Sequence, residues 1–291
     1  ARRLVAVLSA VIAACAVAAP APAQSNFPEK PVRVIVPYGP GGVADVTTRL
    51  VVDKVGLSIG QGFVVENRPG AGTIVGAKAA LASAPDGYTL LLAGNGNAIG
   101  ESLFKSLPFK ILEDFVPVAA LAEFEMILAT RADAKLDTVQ KIIGHAKANP
   151  GKLNFGSAGV GSASHLAAEL LKIRAGIQMI HVPNKGMNPA LVDLMAGQVQ
   201  VLFASVPGML SEKSERIRPI AMAEKRRSGL IPDMPTMSES GLPGFEVGNW
   251  AGLLGPAGMD PAVVKKLHEE VIAILKTQDM QDRIKTLGFD V

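Results

Sequence analysis

A chain of 291 residues that is 48% hydrophobic and 19% charged is long enough for one large or two medium domains with a sizeable buried core. Its 30 glycines and 20 prolines make it turn-rich, yet stay below the range of low-complexity sequence, so disordered, collagen-like and coiled-coil chains are excluded. The net charge of +3 comes with no dense Lys/Arg and aromatic cluster, and Lys225-Arg226-Arg227 reads as a solvated loop, so nucleic acid is not an expected partner.

Residues 1–23 read as a secretory signal peptide. Arg2-Arg3 precede a mostly apolar run, Leu4 to Ala19, and Ala21-Pro22-Ala23 forms an A-x-A exit. That run is too short and alanine-rich to be a comfortable membrane span. Ile12-Ala13-Ala14-Cys15 also fits a lipoprotein box, but the apolar stretch after it is unlike a polar tether. Export is therefore expected, with a periplasmic mature chain. Removing the leader takes away two arginines, no acid and the single cysteine, which leaves a net charge of +1 and no disulfide.

After Gln24, strands, Gly-rich turns and helices alternate. Val32–Val36 is a β-branched strand, Gly39-Pro40-Gly41-Gly42 a turn, and Asp45–Val55 a helix by apolar spacing. Phe63–Glu66 is a strand, 74–84 a helix, and Tyr88–Ala93 a strand that runs into a Gly94-Asn95-Gly96-Asn97 turn. The theme restarts with strand Met126–Thr130, helix Thr138–Ala148, Leu153–Phe155, a Gly156–Ser162 turn and helix His165–Arg174. Ile180–Val182 (strand), Pro189–Ala196 (helix), Val199–Phe203 and Arg218–Met222 (strands) follow. The chain ends with a Pro/Gly-rich stretch over 231–244, strand Trp250–Leu254, a helix Pro261–Lys276 with a Val264, Leu267, Val271, Leu275 stripe, and a short helix before Phe289.

This alternation predicts an α/β protein of two lobes, each a mixed β-sheet flanked by helices, with a ligand cleft between them. The lobes are expected to span 24–125 plus 249–291, and 126–248, with crossovers near Ala122–Leu128 and Phe245–Leu254.

Three Gly-rich turns, Pro37–Asp45, Gly94–Gly100 and Gly156–Ser162, each join a strand to a helix. Such a junction offers unpaired N–H groups and a positive dipole end, which suit a carboxylate without any Arg or Lys. Asp45 and Arg49 form either an i,i+4 pair or a brace in which Asp45 binds the loop's N–H groups. His165 is equally readable as a ligand contact or a structural histidine, and Trp250 as core or hinge packing.

Enzyme signatures are missing. Gly94-x-Gly96-x-x-x-Gly100 is not a dinucleotide fingerprint, no Walker motif occurs, and Ser157 lacks the first glycine of a G-x-S-x-G elbow. The four scattered histidines suggest no metal site, and no cofactor is expected.

Several segments resemble the TctC or Bug family, the periplasmic substrate-binding receptors of tripartite tricarboxylate transporters. They include Phe27-Pro28-x-Lys30-Pro31-Val32, Pro37-x-x-Pro40-Gly41-Gly42-x-x-Asp45-x-x-x-Arg49 and Val65-Glu66-Asn67-Arg68-Pro69-Gly70-Ala71-Gly72. Ala84–Leu90, Gly156-Ser157-Ala158-Gly159-x-Gly161-Ser162-x-x-His165-Leu166 and Pro235-Thr236-x-x-Glu239-x-Gly241 carry it further, from Phe27 to the C-terminus.

The resemblance implies a two-lobed, generally monomeric receptor that closes on a small carboxylated solute and hands it to membrane transporter components. The implied ligand-binding residues are Tyr38, Gly41, Gly42, Val43, Asp45, Asn95, Ser157, Ala158, Gly161, Ser162, His165, Asn184 and Ser205. N–H groups around Gly41–Val43 and Gly159–Ser162 are expected to grip the ligand's two ends.

The chain departs from the pattern where Asn184 replaces a common Tyr, and where Ala204-Ser205 stand in place of Asp-Asn. Loss of that acid tilts the expectation away from amino acids. The match also stops at Asp290-Val291, where the family usually continues through another helix. A sensor using the same site, and more remotely a dinucleotide-dependent enzyme, are the alternative readings.

Overall fold

The computed structural model describes residues 26–211 and 214–287; the expected export signal and Cys15 lie outside them. The first sheet is built from β1 (Val32–Val36), β2 (Phe63–Asn67), β3 (Thr89–Gly94), β4 (Phe115–Phe124) and the late strand β10 (Asn249–Pro256), in the order β2-β1-β3-β10-β4. β1 runs parallel to β2 and β3, while β10 runs antiparallel to β3 and β4. The second sheet has β5 (Met126–Arg131), β6 (Asn154–Ser157), β7 (Ile180–Pro183), β8 (Val201–Ser205) and β9 (Ile217–Met222), in the order β7-β6-β8-β5-β9. Both sheets are mixed, as expected for the two-lobed class.

Helices cover both faces of each sheet, so the central strands read as nearly continuous apolar runs. In the first lobe these helices are α1 (Val43–Ile59), α2 (Ile74–Leu81), α3 (Asn95–Leu103) and the short α4 (Ile111–Asp114). The second lobe has α5 (Val139–Ala148), α6 (Ala163–Ala175), α7 (Met187–Ala196) and the single turn and a half of α8 (Val206–Ser211). Side chains of β1 and β3 alternate between two cores: Val32, Val34, Val36, Leu90 and Leu92 on one face, Ile35 and Leu91 on the other.

The chain returns to the first lobe through β10, α9 (Pro261–Leu275) and α10 (Gln278–Leu287). α9 starts where the Asp260 carboxylate accepts the Ala262 N–H at 2.8 Å and Pro261 occupies the first turn, whose N–H groups lack helical partners. Its buried stripe is Val263, Leu267, Val271 and Leu275, packed against β4 and α1. Val263 rather than Val264 opens the stripe, because residues 263, 267, 271 and 275 keep the i,i+4 spacing that fixes one helical face.

Two further differences from the sequence reading are local. β4 is absent from the sequence reading because Pro117 and its alanines dilute the strand preference of Phe115, Val116, Val118 and Phe124; pairing with β10 over eight positions secures it. The segment read as a Gly94–Asn97 turn is the end of β3 followed at once by α3, with the Gly94 N–H donating to Asn97 Oδ1 at 3.2 Å.

The two crossings between sheets run side by side, with Asn249 opposite Phe124. Ala223 binds both of them and Glu224 the first. The Ala223 N–H donates to Met126 O, the Met126 N–H to Glu224 Oε1, and the Val247 N–H to Ala223 O. Among the described residues, no helix is long and apolar enough to cross a membrane.

Candidate functional site

β1 ends into the loop Pro37–Gly42, and α1 begins at Val43. Gly41 has φ +76°, a left-handed turn that a side chain would strain, and it aims its N–H at Asp45 Oδ2, 2.9 Å away. Asp45 is almost fully buried. Its carboxylate also accepts from Arg49 Nε at 3.1 Å and from Asn67 Nδ2 at 2.8 Å, while Arg49 and Asn67 bind each other. Burial raises its pKa, but the Arg49 hydrogen bond, the Gly41 N–H, Asn67 and the guanidinium charge outweigh that and hold it below the usual value. Both sequence readings of Asp45 are realised in one network: ion pair and loop brace.

Because Gly42, the N-cap, has no side chain to bind the first turn, the N–H groups of Val43 and Ala44 have no partner among the described residues. A Cβ built on Gly42 meets only Gly39 O, at 3.9 Å, so the cleft side of this residue is open space.

The second loop, Ala158–Ser162, is bonded mostly to itself. The Ala158 N–H donates to Ser164 Oγ (3.0 Å), Gly159 N–H to Ser157 Oγ (3.1 Å), Gly161 N–H to His165 Nδ1 (3.2 Å) and Ser162 N–H to Gly159 O (3.2 Å). Ser162 caps α6, its hydroxyl donating to Gly159 O at 2.7 Å and accepting the His165 N–H at 3.4 Å. Among the described residues the N–H groups of Val160, Ala163 and Ser164 have no partner, the first inside the expected grip and the other two just beyond it. On the first loop Asp45 engages the Gly41 N–H, while the free Val43 N–H lies within the expected Gly41–Val43 grip and the Ala44 N–H just beyond it.

These two helix starts meet at one cleft of about 90 Å³, with Val43, Ala44, Ala163 and Ser164 all in its wall. Leu92, Ala93, Phe124, Met126, Trp250 and Ala251 line its base, and Met187 and Ser205 complete the second lobe's side. Asp45 is the only charged residue among those walls, and its carboxylate is already satisfied. Tyr38 also lines the cleft; burial pushes its hydroxyl up to about 12, so it remains a neutral donor. The lobes touch across the cleft, where the Gly39 N–H donates to Lys185 O at 3.2 Å.

Of the sequence-derived candidates, Tyr38, Gly42, Val43, Asp45, Ala158, Ser162 and Ser205 line this cleft. Asn184 lies beside it on a neighbouring cavity of about 330 Å³, which shares Tyr38, Ala158 and Ser162 as walls, and donates to Asp193 Oδ2. Gly41, Ser157, Gly161 and His165 sit behind the walls, supporting them. Asn95 donates to Gly248 O and accepts the Trp250 N–H, tying α3 to the return crossing.

Sequence reasoning passed over Ala163, Ser164, Met126 and Met187. Trp250, read as core or hinge packing, is 38% exposed and forms cleft wall. Among the described residues no cluster of His, Cys, Asp or Glu can hold a metal ion.

Two α/β lobes joined by paired crossings, with helix starts from both facing one cleft, define a solute-binding protein of the two-lobed periplasmic type. The family model for the tripartite tricarboxylate transporter family receptor (TctC) matches residues 47–291, and the chain belongs to that family. It is 37% identical to protein BugT of Bordetella pertussis over 98% of this chain and 88% of that one. Its fold is similar to MatC of Rhodopseudomonas palustris with bound malate, with a TM-score of 0.86, 32% identity, and 90% of each chain covered. It is also similar to an R. palustris protein solved with adipate, at TM-score 0.86 and 28% identity, covering 91% of this chain and 89% of that one.

Proposed function

We propose that this protein captures a small organic acid bearing two carboxylates and delivers it to the membrane components of a tripartite tricarboxylate-type transporter. One observation carries the reading: unpaired N–H groups at the starts of two long helices, one from each lobe, converge on a cleft that has no cationic side chain in its wall. Each helix start offers partial positive charge and charge-assisted hydrogen bonds of about 1.5–3 kcal/mol each. Two such ends on opposite lobes favour a ligand with an anionic group at each end, as in the malate and adipate of the two R. palustris relatives. Tyr38, Ser162 and Ser205 add neutral polar contacts to the ligand's middle.

Lobes at 24–125 plus 249–291 and at 126–248 close by bending at the paired crossings. Closure gives the transporter two states to distinguish. The protein works in the periplasm as an exported monomer, without catalysis or cofactor.

The test is a thermal-shift and calorimetric screen of the mature protein against mono-, di- and tricarboxylates, amino acids, the matching diamides, NAD and ATP. A ligand at about 100 times its Kd adds roughly 2.7 kcal/mol of stability. A dicarboxylate that binds while its diamide does not is the expected result. Silence across every acid, with a shift from a nucleotide, overturns the reading.

A further inference from the structure

Behind the second loop lies a stack of three rings. Phe155 and His181 have centroids 4.7 Å apart, and His181 and His165 are 4.2 Å apart, nearly parallel. Each imidazole supports the loop through one nitrogen. His165 Nδ1 accepts the Gly161 N–H at 3.2 Å, and His181 Nε2 lies 2.6 Å from Ser157 Oγ. The Gly159 carbonyl already accepts from the Ser162 N–H and hydroxyl. Ser157 Oγ also lies 3.2 Å from that carbonyl, but the shorter contact to His181 Nε2 and the two donors already on the carbonyl place the Ser157 proton best on the imidazole, which leaves the Ser157 oxygen to accept the Gly159 N–H.

We infer that His165 and His181 are positioning residues that hold the Ala158–Ser162 loop in its binding shape only while both rings are neutral, so that solute capture weakens on acidification. The inference rests on the carboxylate-receptor reading above.

A protonated His165 has no lone pair, so the Gly161 N–H would face a donor. A protonated His181 would leave the Ser157 hydroxyl only the longer contact to the Gly159 carbonyl, which Ser162 already occupies twice. Two stacked imidazolium rings would also repel.

The surroundings favour the neutral pair. Burial is the largest effect on both, and it lowers both; His181 is brought to about 4, with His165 adding to the effect. The charged groups that face the pair are Glu169 and Lys172 of α6. Glu169 Oε1 is 4.0 Å from His165 Nε2 but already binds Lys172 Nζ at 2.8 Å, which blunts its pull on the proton. With pKa values lowered in the formed loop, the support is complete above about pH 6.5 and is lost as pH falls toward 4.

The experiment measures the Kd of adipate and of malate between pH 7.5 and pH 4.5 for the wild type, His165→Asn and His165→Phe. In parallel, NMR follows the imidazole protons and the Gly161 amide without ligand. The asparagine carbonyl can accept the Gly161 N–H but does not titrate; phenylalanine keeps the stack and loses the acceptor. Comparing variants on one ligand cancels the ligand's own titration.

Relative to His165→Asn on the same ligand, wild-type affinity is expected to fall by up to about tenfold from pH 7 to pH 4.5, the size of one lost loop hydrogen bond. His165→Asn keeps only the fall that the acid's own protonation and His181 cause, and the phenylalanine variant binds weakly throughout. The wild-type Gly161 amide shift should follow the ring titration. A pH profile in His165→Asn equal to that of the wild type, or a Gly161 amide indifferent to the ring protons, overturns the inference. If neither acid binds at any pH, the receptor reading fails for these ligands, while the Gly161 amide still decides the role of the pair.

Discussion

Asp45→Ala removes the one carboxylate on which the first loop is built. Three donors lose their acceptor: the Gly41 N–H at 2.9 Å, Asn67 Nδ2 at 2.8 Å and Arg49 Nε at 3.1 Å. Hydrogen bonds to a charged group contribute about 1.5–3 kcal/mol each. The Arg49 side chain is 42% exposed and can rehydrate, so its share is discounted to about 0–1 kcal/mol. The two amide donors are more enclosed, but Asn67 keeps its contacts to Tyr38 O and Arg49. The net loss is therefore about 3 kcal/mol, a large part of the 5–15 kcal/mol that holds a typical domain.

Urea unfolding at pH 7 should show a lower midpoint with an unchanged slope. The Kd for the best dicarboxylate should rise at least about tenfold as Gly41 and Gly42 lose their fixed geometry. Since the Asp45 pKa is lowered by folding, its contribution is present above about pH 4 and disappears as pH falls through the lowered value. The acid limb of wild-type stability should therefore flatten in Asp45→Asn. A destabilisation under about 0.5 kcal/mol together with unchanged affinity would refute the reasoning, because it would mean that the loop holds its shape without its brace.

Gly42→Val should fold normally, given the open space at its Cβ, and should lose dicarboxylate binding; retained affinity in calorimetry removes this loop from the site. Trp250 is the only tryptophan in the chain and lines the cleft, so saturating ligand should shift or quench its emission, and an unchanged spectrum on proven binding places the ligand elsewhere. Glu224, pushed up to about 7 chiefly by burial and further by Glu125, Glu246 and Glu123, contributes stability at low pH that is lost as pH rises from about 4.5 through 7. Glu224→Gln should accordingly gain on the order of 1 kcal/mol at pH 8 relative to its effect at pH 5, read by thermal melts at both; an equal effect at the two pH values contradicts a raised pKa.

The sequence by itself determined the lobe-building pattern. Strand–helix alternation, the apolar β1 and β3, and glycine-rich turns before α1 and α6 are local properties, set by side-chain period and backbone freedom within a few residues. The Asp45–Arg49 pair was legible for the same reason, because four residues along a helix is a fixed distance. What only the tertiary structure decided depends on groups far apart in the chain. β4 exists because β10 returns more than a hundred residues later to pair with it. Trp250 becomes a cleft wall because the two crossings lie side by side. The His165 ring, on α6, stacks on that of His181 from β7, and free N–H groups extend past the loop to Ala163 and Ser164 because most of the loop's own are bonded within it. A buried donor must find an acceptor, and which acceptor stands within 3 Å is set by packing between segments, which no local pattern encodes.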